Sequence, residues 1–251
     1  MNSSTKLDSG GGIALALTMG EPAGVGGEVT LKAWMAKNTP AFFVIDDADR
    51  LRLLSQKLGL DVPISKINVP SEASKIFEIA LPVLHHPIKD PVIYGKPSTK
   101  NAKAVIESIR YAVELVRSNQ ASAVVTNPIH KKTLYDAGFK FQGHTEFLSN
   151  LAGIETPPVM MLASPKLKVV PVTIHVSMVK ALSNLREVDI ITTARITAKA
   201  LTRYFSVAKP RLAIAGLNPH AGEGGKMGKE EITTIAPAIA KLCKSGIDAS
   251  G

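Results

Sequence analysis

The chain has 251 residues, 45% hydrophobic and 20% charged, which suits one large globular domain or two smaller ones. No run approaches the ~18 uninterrupted apolar residues of a membrane span, and the single cysteine, Cys243, excludes an internal disulfide and points to a reducing, cytoplasmic setting. The net charge is +9, but the basic residues are scattered and only 5% of the chain is aromatic, so nucleic acid is not the expected partner and an anionic small substrate suits the charge better.

In chain order, residues 1–12 read as a flexible tail without the apolar core of a signal peptide. The run 12–20 (GIALALTMG) is a strand ending at a glycine turn, and 41–47 (AFFVIDD) is a second, followed by a helix through ADRLRLLSQKLG. A third strand is expected at 79–84. Residues 99–118 carry the clearest helix, with Val105, Ile109, Ala112, Val113 and Val116 on one face and Lys103–Glu107 spaced for an ion pair on the other. Strands are expected at 122–128, 158–164, 168–175 and 211–219, and helices near 187–206 and over 229–246. Apolar strands without alternation are buried on both faces, and their interleaving with helices makes this an α/β chain with a largely parallel sheet. After the helix ending at Gly246 such a unit continues into another strand, and the sequence looks cut off there.

Ligands of open parallel sheets bind beyond the C-terminal ends of the strands. Four stretches lie there. TMGEPAGVGGE (18–28) lacks the third glycine of a dinucleotide fingerprint, since position 29 is valine, and reads as a tight turn feeding a helix. TNPIHKK (126–132) leaves His130 and Lys131 at a helix start, where the dipole disfavours cations, so an anion is a candidate neighbour and a solvated lysine the plainer reading. In FQGHTEFLSNL (141–151) Thr145 is placed to cap a helix, which leaves His144 unexplained. His175 and His220 each follow an apolar run and can converge on one divalent metal, for which a third ligand is not evident. Gly228-Lys229 is followed by glutamate, so LNPHAGEGGKMGKEE (217–231) is not a phosphate loop.

Taken together, LTMGEPAGVGGE, VTNPIHKKTLYDAGFKFQGHTEFL, VTIHVSMVKAL and GLNPHAGEGGKMGKEE resemble the 4-hydroxythreonine-4-phosphate dehydrogenase family from about residue 13 to 251. The resemblance implies an α/β fold like isocitrate and isopropylmalate dehydrogenases, with two α/β/α domains, a cleft, and a homodimer whose active site lies at the interface. It implies residues 13–132 as a first α/β domain and 133–251 as a central substrate, metal and dimerisation domain. It also implies NAD or NADP, and a divalent ion (Zn, Mg, Co or Mn) held by His175 and His220. Substrate would meet His144 and Thr145, with His130 and Lys131 nearby in the cleft; no catalytic residue is assigned beyond the metal site.

The implied reaction is metal-assisted oxidation of 4-phosphooxy-L-threonine and decarboxylation to 3-amino-2-oxopropyl phosphate, in pyridoxine 5'-phosphate biosynthesis. The family's third metal histidine lies in a Tyr-His-Asp-Gln-Gly motif, and an Asp-His-Gly-Thr-Ala motif serves NAD; neither is in the chain. The chain as written is therefore expected to be inactive. Two other readings stand beside the first: a paralogue acting on another phosphorylated hydroxy acid or a dihydrodiol, and a catalytically inactive truncated homologue.

Overall fold

A computed structural model describes residues 12–251, so all but the last residue of the expected tail lies outside the described residues. By contact the chain forms two compact units, Met1–Thr156 and Pro157–Gly251.

The first unit is built on a five-stranded, all-parallel sheet in the order β3-β4-β2-β1-β5. Strand β1 (Leu15–Thr18) leads to helix α1 (Gly26–Met35), β2 (Phe42–Asp46) to α2 (Ala48–Lys57), and β3 (Ile64–Ile67) through a short turn to α3 (Ala73–Ile76). Strand β4 (Leu81–His85) precedes the long α4 (Ala102–Arg117), and β5 (Val124–Val125) precedes α5 (Lys131–Asp136) and α6 (His144–Ala152). Every residue of the central strand β2 is buried. Phe42 and Val44 pack with Leu31, Trp34, Leu51 and Leu54 of α1 and α2 on one face. Phe43 and Ile45 pack with Ala73 of α3 and Ala112 and Leu115 of α4 on the other. Period-2 alternation between two helical layers is why both faces had to be apolar. Side-chain burial of this kind stabilises by about 1.5–3 kcal/mol per large aliphatic or aromatic residue.

No apolar run marks β3 in advance. ISKI is a half-buried edge strand whose Lys66 reaches Asp49 (3.0 Å), and a polar edge carries little apolar signal. The second unit departs further from expectation. The runs expected as strands at 158–164 and 168–175 form only a two-residue hairpin, β6 (Leu162–Ala163) antiparallel to β7 (Lys168–Val169). Leu162 and Val169 are exposed, so these apolar runs are not buried on both faces. Pro171 lacks the N–H that a longer β7 ladder needs.

Helices α7 (Met178–Ser183) and α8 (Glu187–Phe205) follow, then β8 (Arg211–Ala213), a π-helical turn at Glu231–Ile235 running into α9 (Ala236–Lys244), and β9 (Asp248–Ser250). The strand expected beyond Gly246 is β9, paired in parallel with β8. Ile190, Ile191 and Ala194 of α8 meet Ala238 and Leu242 of α9 and Ala249 of β9 in the core of this unit.

Candidate functional site

In the first unit the C-terminal ends of β1, β2 and β5 carry three connected loops. Asn127, just past β5, is buried and joins two of them: its Nδ2 donates to the Thr18 carbonyl (3.0 Å) and to Thr30 Oγ1 (2.8 Å). Glu21 N donates to the Pro128 carbonyl at 2.8 Å. Gly20 has φ +68°, and a Cβ there would lie 2.6 Å from Asn127 Cβ, so this turn requires glycine. On the other side Arg50 Nη1 donates to the Pro22 carbonyl (3.1 Å), while Nε and Nη2 hold the Asp46 carboxylate at the end of β2. Burial pushes the Asp46 carboxyl up, against the pull of the Arg50 charge. The 18–28 stretch is thus a turn feeding a helix, clamped from both flanks. Sequence reasoning passed over Arg50, Asp46 and Asn127; the Asn-Pro pair at a strand end was the available signal.

The next loop brings His130, Lys131 and Lys132 to the start of α5, and each is used differently. His130 is the N-cap: its Nδ1 accepts from Thr133 N (3.3 Å) and lies 2.6 Å from Thr133 Oγ1. Its ring therefore offsets the dipole misfit as an acceptor. Lys132 pairs with Asp136 at 2.6 Å. Lys131 turns toward the start of α6, where a Cβ on Gly143 would stand 3.6 Å from its Nζ.

At that start the capping expectation is corrected. Gly143 is the N-cap, His144 the first helical residue and Thr145 the second; no side chain caps the helix. Glycine with extended backbone serves here because a bare N-cap tolerates it. His144 and Thr145 are half-buried. Burial first, and then the Lys131 charge, holds the His144 imidazole below the usual histidine range, so it is neutral near pH 7. His144 Nε2 and Glu146 Oε2 are both buried without a hydrogen-bond partner among the described residues. Beneath them Phe139, Phe141 and Phe147 cluster, with centroids 5.0–5.4 Å apart, and the Arg110 guanidinium lies 5.3 Å from the Phe147 ring. Helix α6 is thereby fixed onto α4. The chain thus brings Lys131 and His144 together: a neutral ring nitrogen, a cation and a helix N-terminus can jointly hold a hydroxyl or an anionic oxygen.

In the second unit neither histidine follows its strand directly. His175 lies six residues beyond β7, exposed, at φ +58°; a non-glycine residue in that region marks strain. His220 is exposed in the long loop between β8 and α9, with its Nδ1 3.6 Å from Glu223 Oε1. That loop contains φ +46° at Ala221 and +44° at Glu223 beside four left-handed glycines. Glu231 closes it, Oε1 accepting from Leu217 N (3.0 Å) and Asn218 N (3.2 Å); the Asn218 amide foremost, then Glu231's own amide and that of Leu217, hold its carboxyl below the usual range. Two exposed imidazoles suit a borderline divalent metal by donor chemistry. Among the described residues no group of three or more His, Cys, Asp or Glu side chains is placed to hold an ion.

Known proteins resemble this chain closely. It is 47% identical over 251 residues to a 4-hydroxythreonine-4-phosphate dehydrogenase of Bradyrhizobium diazoefficiens, covering 94% of this chain and 72% of that protein. It is 46% identical over 244 residues to the enzyme of that name from Caulobacter vibrioides, with the same coverage. The crystal structure of 4-hydroxythreonine-4-phosphate dehydrogenase from Klebsiella pneumoniae superposes with a TM-score of 0.85 at 31% identity, over 96% of this chain and 74% of that one. The family model described as pyridoxal phosphate biosynthetic protein PdxA matches residues 38–251. With 72% of a relative's length covered at 47% identity, and a family model over most of the chain, this protein belongs to the PdxA family of pyridoxal phosphate biosynthetic proteins.

Proposed function

We propose that the chain serves the oxidation of 4-phosphooxy-L-threonine by NAD or NADP, followed by decarboxylation to 3-amino-2-oxopropyl phosphate, on a fold like isocitrate and isopropylmalate dehydrogenases. The observation that carries this reading is the buried Nε2 of a neutral His144, without a partner among the described residues, beside Lys131 at the head of α6, in a chain 47% identical to an enzyme named for that substrate. His144 orients the substrate through one hydrogen bond. Thr145, free of capping duty, offers its hydroxyl to the same molecule. Lys131 supplies positive charge toward an anionic oxygen, and His130 fixes the turn from which Lys131 extends.

His175 and His220 are proposed as ligands of a Zn, Mg, Co or Mn ion, which supplies Lewis-acid polarisation of the substrate oxygen when bound. We place the functional division at 132/133, with substrate, metal and dimer contacts in 133–251, and propose a cytoplasmic homodimer. Exposed Leu162, Leu167, Met178 and Val179 support an association surface.

Calorimetric titration of 4-phosphooxy-L-threonine tests the reading. A lost hydrogen bond to a charged group costs about 1.5–3 kcal/mol, roughly ten- to a hundredfold in Kd. His144→Ala is expected to weaken binding by that factor with little change in Tm. Equal affinity in wild type and variant contradicts the assignment.

A further inference from the structure

The loop that presents His220 is closed from within by one carboxylate. Glu231 opens the helical segment leading to α9, yet its side chain turns back across the loop. Oε1 takes the amides of Leu217 (3.0 Å) and Asn218 (3.2 Å). Oε2 is buried and has no hydrogen-bond partner among the described residues, and the loop backbone packs against it: a Cβ on Gly222 would stand 3.0 Å from Oε2 and 2.8 Å from the Gly228 carbonyl. Asn218 passes the constraint on. Its Oδ1 accepts from His220 N at 2.9 Å and its Nδ2 donates to the Met227 carbonyl at 3.2 Å. His220 therefore stands two hydrogen-bonded links from Glu231, on a loop whose left-handed non-glycine residues, Ala221 and Glu223, persist only where the surroundings hold them.

We propose that Glu231 is the positioning residue of His220: it fixes Asn218, Asn218 fixes the His220 backbone, and the imidazole is thereby presented in one place to a divalent cation. The inference rests on the reading of His220 as a metal ligand. Two plainer roles compete with it. If Glu231 only complements the helix dipole, its charge matters and its acceptor geometry does not. If it only stabilises the fold, its loss lowers Tm and leaves the affinity of His220 for metal untouched.

Equilibrium dialysis of zinc against the full chain separates these roles, with hydrogen exchange at the Leu217 and Asn218 amides as a second readout. Groups that orient a metal ligand typically contribute ten- to a hundredfold in metal affinity. Glu231→Ala is expected to weaken zinc by that factor and to speed exchange at both amides. Glu231→Gln keeps an acceptor oxygen and is expected to recover most of the affinity. His220→Ala is the control and is expected to weaken zinc at least as much as Glu231→Ala. If Glu231→Ala proves to have lost its helical circular dichroism, Asn218→Ala cuts the same chain one link later and is expected to weaken zinc likewise.

Zinc affinity within twofold of wild type in Glu231→Ala, with His220→Ala weakened, overturns the positioning role and leaves the metal reading standing. Gln behaving like Ala also overturns it, in favour of the charge alone. An unchanged affinity in His220→Ala overturns the metal reading itself.

Discussion

At the scale of single residues the candidate site turns on the protonation of His144. Its pKa is lowered by burial and by Lys131, so the unfolded chain binds this proton more readily than the folded one. The associated stability is fully present above the unfolded value near 6.5 and is lost as pH falls below it toward the lower folded value. In an NMR titration the His144 ring is expected to titrate below 6.5, and Lys131→Met to move the midpoint up; a midpoint indifferent to Lys131 would separate the two residues. The sequence showed that His130, Lys131 and His144 deserved notice, and it could not show their directions. A histidine before a helix can cap it or leave it, and only the turn at Thr133 decides that His130 caps. Threonine favours the cap, which points to Thr145; the helix begins two residues earlier than that pattern implies, with Gly143 as its N-cap.

Among elements, those with a full buried face were legible. β1, β2 and β4 announce themselves as short apolar runs, and α2, α4, α8 and α9 by helical spacing. β3 was missed because an edge strand is polar, and the β6–β7 runs were overextended because an apolar run need not be buried: Leu162 and Val169 are exposed. The Arg50–Asp46 pair was illegible for another reason: i,i+4 spacing of opposite charges usually marks a solvated helix face, whereas these side chains are 4% and 0% exposed. Removing one partner of a buried pair costs about 3–5 kcal/mol, and replacing both by apolar groups costs far less. Arg50→Met is therefore expected to lose about that much stability in urea denaturation at pH 7, and Asp46→Leu with Arg50→Met to recover most of it. The single variant's deficit should shrink near pH 4, since a carboxyl whose folded pKa is raised favours the folded state at low pH and opposes it as pH rises. Equal losses in single and double variants would mean that the pair's contacts, and not the stranded charge, carry the energy.

For the whole molecule, periodicity reached only as far as an α/β class with a parallel sheet; the family resemblance came from motifs in order, such as GHTEF and NPHAGEGG, and the family is shown by relatives at 46–47% identity over 94% of the chain. The division by contact after Thr156 follows from α6 packing on α4, with Arg117 Nη1 donating to the Leu151 carbonyl at 3.2 Å, a long-range contact no local pattern discloses. In the second unit Met178 and Val179 are 78% and 76% exposed. A homodimer is proposed, so sedimentation velocity is expected to give twice the 26.6 kDa chain mass, and Val179→Lys to shift it toward monomer.

The central claim is that a PdxA-family chain recognises 4-phosphooxy-L-threonine at the head of α6. Titrating that compound while following the His144 ring by NMR tests it most directly. The account predicts a saturable shift of the His144 signal at the same midpoint as the calorimetric curve. A substrate that binds while His144 keeps its free chemical shift and titration would contradict it.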